Sequence, residues 1–141
     1  MTRSEILLDT AFAIALLNTT DAHHATAIAL AHQLRRRARL ILTRAICLEI
    51  GNAMCGLRLR GLAAEFLVSL EDDPDIEIIP WNERVYSAAV ALFQDRPDKS
   101  WSLTDCVSFV VMRERGITDA LTSDRHFQQA GFRPLLRTAN N

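Results

Sequence analysis

Lysine is almost missing from this 141-residue chain: Lys99 is the only one among sixteen basic residues, and the rest are arginine. Arginine suits bidentate phosphate contacts, but genomic base composition produces the same bias, so the count alone assigns no ligand. An excess of positive charge is missing too. The net charge is −1, which excludes the global basic field that announces a nucleic-acid binder. No stretch has the length and apolarity of a membrane span. Met1-Thr2-Arg3-Ser4-Glu5 leads straight into a strand, without a long apolar core or a small-residue cleavage site. Cys47, Cys55 and Cys106 form an odd set without zinc spacing, all in apolar helical contexts. They read as buried thiols in a reducing cytoplasm. Histidine offers no ligand set either, since His23 and His24 are adjacent while His32 and His126 stand apart. These patterns argue against a zinc site.

What is present is the balance of a soluble globular protein, 49% hydrophobic and 23% charged. The length fits one domain, residues 1–141, with a real core. Short apolar runs at Glu5–Leu8, Leu40–Thr43, Ile76–Ile79 and Ala120–Thr122 predict strands, and Arg133–Leu136 predicts an edge strand. Between them the spacing predicts helices over Thr10–Leu17, Ala22–Arg37, Arg44–Leu59, Leu62–Leu70, Asn82–Phe93, Ser102–Arg115 and His126–Ala130. Gly61 and Gly116 read as helix stops. Strands alternating with helices imply an α/β fold whose parallel sheet is covered on both faces.

Four acids stand out against this framework. Asp9 closes Ile6-Leu7-Leu8, Glu49 lies on the apolar stripe of a helix, Asp105 starts the most hydrophobic helix, and Asp124 follows Ala120-Leu121-Thr122. Three of them have ordinary explanations. Asp9 and Asp124 sit where a helix N-cap is expected, and Ser102-Leu103-Thr104-Asp105 fits a capping box. Glu49 has none: it shares a face with Ile46, Ile50, Ala53 and Leu57, with no Lys or Arg one turn away. Strand ends are where the sites of α/β folds collect. Four carboxylates gathered there call for a divalent cation, which makes a metal-dependent enzyme the expected class.

In order and spacing these segments resemble a PIN-domain ribonuclease, specifically the small bacterial VapC-type toxins of toxin–antitoxin pairs. The resemblance rests on Ile6-Leu7-Leu8-Asp9-Thr10 with Ala15-Leu16-Leu17-Asn18, on Leu42-Thr43 leading to Cys47-Leu48-Glu49-Ile50, on Ser102-Leu103-Thr104-Asp105, and on Leu121-Thr122-Ser123-Asp124-Arg125-His126-Phe127 before Ala130-Gly131-Phe132. It implies a three-layer α/β/α fold around a four- or five-stranded parallel sheet. Asp9, Glu49, Asp105 and Asp124 would hold Mg²⁺ or Mn²⁺, lined by Thr10 and Thr122. Hydrolysis of RNA by in-line attack would leave 5′-phosphate and 3′-hydroxyl ends. A cognate antitoxin and a homodimer are the implied protein partners, facing Leu57, Leu59 and Leu62.

For RNA contact, Arg125 beside Asp124 is a candidate, and Trp101 ahead of the Asp105 helix either stacks on a base or packs in the core, whereas Arg35-Arg36-Arg37 with Arg39 reads as a solvated face at a helix end. Two rival enzyme classes lack a residue they need. A haloacid-dehalogenase-like phosphatase wants a second Asp two residues after Asp9, where Ala11 stands, and a receiver domain wants a late Lys at a strand end. A PIN-fold binding module without significant cleavage, and an RNA-processing nuclease that is not a toxin, are the remaining alternatives.

Overall fold

The computed structural model describes residues 3–137. The elements run in order β1 (Ser4–Leu8), α1 (Thr10–Leu17), α2 (His24–Leu34), β2 (Ala38–Thr43), α3 (Arg44–Ala53), α4 (Arg60–Asp72), β3 (Ile76–Ile79), α5 (Glu83–Asp95), α6 (Leu103–Arg115), β4 (Asp119–Leu121), α7 (Arg125–Gln129) and β5 (Arg133–Pro134). The five strands form one parallel sheet ordered β3-β2-β1-β4-β5, as the alternation of strand and helix predicted. From β1 the chain winds outward through β2 to β3, then crosses back to β4 and β5 on the other side. Right-handed crossovers in opposite directions put α1–α4 on one face and α5–α7 on the other. Ile6, Leu7 and Leu8 are therefore buried in succession, the mark of a strand covered on both faces. Leu7 pairs with Ile41 and Leu8 with Leu121 at the centre of the core.

The reversal of winding at β1 opens a crevice at the carboxyl ends of β1 and β4, where ligands of such sheets bind. Asp9 and Thr122 follow those two strand ends directly. On the second face, Phe109 of α6 meets Phe127 of α7 edge-on at 5.0 Å, which seats α7 against the sheet and fixes the Asp124 turn. Gly116 ends α6 as the sequence indicated, in the left-handed conformation (φ 68°).

Several boundaries differ from the sequence expectation. Helix α3 stops at Ala53, because Gly51, Asn52 and Gly56 weaken the helix there. Leu57, placed on the Glu49 stripe by helical spacing, is instead 97% exposed outside any helix. Gly61 lies inside the first turn of α4 rather than ending its predecessor. Cys55 falls in the same irregular stretch and is exposed, so only Cys47 and Cys106 are buried thiols. Helix α2 ends at Leu34 because Arg36 adopts a positive φ of 63°, which releases the chain into a longer β2.

Candidate active site

All four acids reach the carboxyl edge of the sheet. Asp9 stands at the N-cap position of α1, yet its carboxylate makes no capping bond. Its backbone N–H instead extends the pairing with β4, donating to the Leu121 carbonyl at 3.2 Å. The side chain is 5% exposed and accepts a hydrogen bond from Thr122 Oγ1 at 2.8 Å. Thr122 Oγ1 in turn accepts the Asp124 backbone N–H at 3.0 Å. One threonine thus ties the end of β1 to the turn that carries Asp124.

Asp124 and Asp105 do cap helices, as their sequence contexts indicated. Asp124 Oδ1 accepts the His126 N–H at 2.9 Å. Asp105 completes a capping box with Ser102, each accepting the other's backbone N–H at 3.0 Å. Capping fixes where these carboxylates point without using up their lone pairs. Glu49 is half-buried, and its Oε1 accepts a hydrogen bond from Thr10 Oγ1. Thr10 is the first residue of α1, so Glu49 of α3 reaches the Asp9 turn.

Burial pushes the Asp9 carboxyl up to about 7, Thr122 opposing that rise while the charges of Asp105 and Glu49 add to it. Burial also raises the Asp105 carboxyl, and the Asp124 charge adds to that. Among the described residues, no Lys or Arg forms an ion pair with any of the four acids. Acids that burial and mutual repulsion hold high, with no Lys or Arg to neutralise them, suit a hard divalent cation.

His126 was missed by reading the histidines as isolated in sequence. Its Nδ1 lies 3.0 Å from Asp105 Oδ2 and 3.4 Å from Asp124 Oδ1, and ligand atoms of all three residues lie within 4.8 Å of one another. The signal was present in the spacing: a capping Asp124 orients the first turn of α7, which carries His126. Trp101 is the opposite case. It is only 4% exposed, its Nε1–H donates to Gln129 Oε1 at 3.0 Å, and its ring packs edge-on against Phe109 at 5.0 Å. Core packing, not base stacking, is what Trp101 does. Arg125 is exposed and forms no ion pair among the described residues. The Arg35–Arg37 cluster precedes β2 and so lies at the opposite edge of the sheet from the acids.

Residues 6–133 match the model of the PIN domain family, and the chain belongs to that family. Its structure is similar to the VapC20 toxin of Mycobacterium tuberculosis, described as cleaving the sarcin-ricin loop. The two are 25% identical with a TM-score of 0.80, over 90% of this chain and 95% of that one. VapBC2 from Rickettsia felis, solved bound to a DNA fragment from its promoter, is 11% identical with a TM-score of 0.68, over 92% of this chain and 96% of that one. At that identity the likeness carries the fold alone. Comparison with curated proteins gives no significant match.

Proposed function

We propose that this chain is a divalent-metal-dependent endoribonuclease, the toxin of a toxin–antitoxin pair, acting in the cytoplasm as a single domain. The observation that carries the reading is Asp9: a buried carboxylate at the central strand end, left out of helix capping and crowded by Asp105 and Glu49. Likeness to VapC20 supports RNA as the substrate class. Likeness to the VapC20 toxin supports the toxin role, from which we infer a cognate antitoxin as partner, and a homodimer is the assembly we infer from the family.

Asp9, Asp105, Asp124 and Glu49 would hold Mg²⁺ or Mn²⁺. When bound, such an ion supplies positive charge to the attacked phosphodiester and makes water more acidic. The protein's own groups do the positioning. Thr122 aims Asp9 and fixes the Asp124 turn, Thr10 aims Glu49, and His126 Nδ1 spans Asp105 and Asp124. A carboxylate at the rim, Glu49 or Asp124, would take a proton from water as its oxygen bonds to phosphorus; the P–O3′ bond breaks and the 3′-oxygen takes a proton from solvent, which leaves 5′-phosphate and 3′-hydroxyl ends. Arg125, exposed and next to Asp124, would meet a phosphate.

Cleavage of host tRNA, rRNA, a sarcin-ricin loop hairpin and a defined single strand tests this. The assay uses purified protein freed of antitoxin, with Mg²⁺ or Mn²⁺. Cutting that disappears with EDTA and in Asp9→Asn is the expected result. A wild type no faster than Asp9→Asn on every RNA would sink the reading and favour a binding module.

A further inference from the structure

Two acids and an imidazole, not four acids, are what the carboxyl edge brings to ligand spacing. Among the described residues, Asp105, Asp124 and His126 are the one group of three whose ligand atoms all lie within 4.8 Å of one another. His126 Nδ1 stands 3.0 Å from Asp105 Oδ2 and 3.4 Å from Asp124 Oδ1. Adjacent ligands of an octahedral ion held at about 2.1 Å lie about 3.0 Å apart, so both separations are close to those of neighbours on a single ion. One backbone donor steadies each carboxylate oxygen: the Ser102 N–H at 3.0 Å on Asp105 Oδ2, and the His126 N–H at 2.9 Å on Asp124 Oδ1. A lone pair on each oxygen stays free for a cation.

The second ring nitrogen bears on how Nδ1 is used. Nε2 lies 3.3 Å from the Ser100 hydroxyl, which belongs to neither acid. A metal-bound histidine donates its other ring N–H to an oxygen, and that bond fixes the ligating tautomer and the ring's orientation. With Nε2–H donating to Ser100, Nδ1 turns a bare lone pair toward two carboxylate oxygens. A divalent cation among them converts that repulsion into coordination. The turn that presents the ring is firmly seated, since the next residue, Phe127, is fully buried against Phe109.

We propose that His126 Nδ1 is a direct ligand of the divalent cation at Asp105 and Asp124, and that this mixed nitrogen and oxygen set selects Mn²⁺ over Mg²⁺. This rests on the metal-dependent ribonuclease reading and names the ion that the site prefers. Mg²⁺ takes oxygen ligands in near-ideal octahedral geometry and gives up its waters reluctantly. Imidazole suits first-row transition ions instead. Four carboxylates alone would separate the two ions far less.

Mn²⁺ alone is the probe, added to purified, tag-free wild type freed of antitoxin, and pulsed electron paramagnetic resonance reads its ligands. Modulation from a directly bonded nitrogen is expected, and it should vanish in His126→Asp and His126→Ala alike. By calorimetry His126→Ala should weaken Mn²⁺ binding by at least the roughly 10-fold that loss of an outer partner costs, and weaken Mg²⁺ binding less. His126→Asp should restore binding of both ions while losing the preference for Mn²⁺. A wild type that binds Mn²⁺ without nitrogen modulation overturns the proposal and leaves His126 as a hydrogen-bonding partner of the two acids. Modulation that persists in both variants overturns it too, because the nitrogen then comes from elsewhere. Either result leaves the ribonuclease reading standing, since the metal is bound and Asp9→Asn tests cleavage separately. A wild type without saturable Mn²⁺ binding removes the metal-dependent reading first, and the role of His126 with it.

Discussion

At the amino edge of the sheet the carboxylates of Glu5, Asp75, Glu77 and Asp119 each meet an arginine, whereas at the carboxyl edge those of Asp9, Glu49, Asp105 and Asp124 meet hydroxyls, backbone N–H groups and one imidazole. Arg115 bridges Glu77 at 2.9 Å and Glu5 at 3.6 Å, Arg3 pairs with Asp75, and Arg133 pairs with Asp119 at 2.7 Å. One helix joins the two regimes, since α6 carries Asp105 in its first turn and Arg115 in its last. Three of these acids show the contrast in their titration. Hydrogen bonding to Arg115 holds Glu77 below the usual carboxylate range, while burial holds Asp9 and Asp105 above it. Acids of the first kind are neutralised by the fold. Those of the second kind are paired with no arginine or lysine among the described residues, and perturbed acids gathered in a crevice mark function.

The sharpest way to test that contrast is to remove the charge at its centre. Asp9→Asn keeps the shape and the Thr122 neighbour but discards the buried carboxylate. Cleavage should fall by more than the roughly 100-fold that marks loss of an outer-shell partner, and the metal-free protein should become more stable, not less, at pH 8. Gel assays of RNA cutting and thermal melts in EDTA read the two effects. A destabilised Asp9→Asn in EDTA would mean that the carboxylate is structural and that the two edges do not differ as described.

Stability against pH should show the same opposition. The Asp9 carboxyl sits at about 7 in the folded chain against an ordinary 3.8, so between those values the folded state holds more protons than the unfolded one. Metal-free stability should therefore fall as pH rises from about 4 to 7, by up to about 4 kcal/mol from this group. Mn²⁺ should cancel the loss, because a cation replaces the proton, and Asp9→Asn should flatten it. Glu77 has the reverse sign: its lowered pKa contributes stability above its ordinary 4.5, lost as pH falls below that. Urea midpoints at several pH values, with and without Mn²⁺ and in Glu77→Gln, separate the two slopes.

Thr122→Val should have a smaller effect. It removes the hydroxyl that holds Asp9 Oδ2 and the Asp124 N–H, leaving the carboxylate in place but unaimed. Loss of such an outer partner typically costs 10- to 100-fold in metal affinity or activity, and Mn²⁺ titration followed by cleavage should show both falling together. Thr122→Ser should recover most of the loss. A valine variant as active as wild type would leave the hydroxyl with only a structural task.

How much of this could be read in advance depended on how local the cause was. The strands, the capping box at Ser102 and the stop at Gly116 are decided by residues within one turn, and sequence spacing revealed them. Asp9 looked like an N-cap because sequence sees the helix that follows and not Thr122, more than a hundred residues away, which claims its carboxylate. For His126 the local half of the signal, Asp124 two residues before it, was legible, whereas its other neighbour Asp105 comes from another helix. The two tryptophans show how burial decides. For Trp101 the sequence left base stacking and core packing both open, and the Phe109 contact and the Gln129 hydrogen bond draw it into the core. Trp81 drew no attention beside Pro80, but the end of β3 leaves it open to solvent. Arg36 hid a left-handed residue that shortens α2, since only glycine announces such a conformation in sequence.

The smallest effect is expected from the largest concentration of positive charge. Arg35, Arg36 and Arg37 lie at the amino edge, a full strand length from Asp9, so an RNA held at the acid site does not need them. Replacing all three by alanine should leave cleavage and the salt dependence of RNA binding nearly unchanged. Were each gripping a phosphate of single-stranded RNA, the slope of log affinity against log salt would flatten by about 2 in total. Binding measured at several salt concentrations decides between these. A slope that does flatten would extend the RNA path around the molecule to the amino edge, and the division between an edge that uses its charge for folding and an edge that uses it for chemistry would no longer hold.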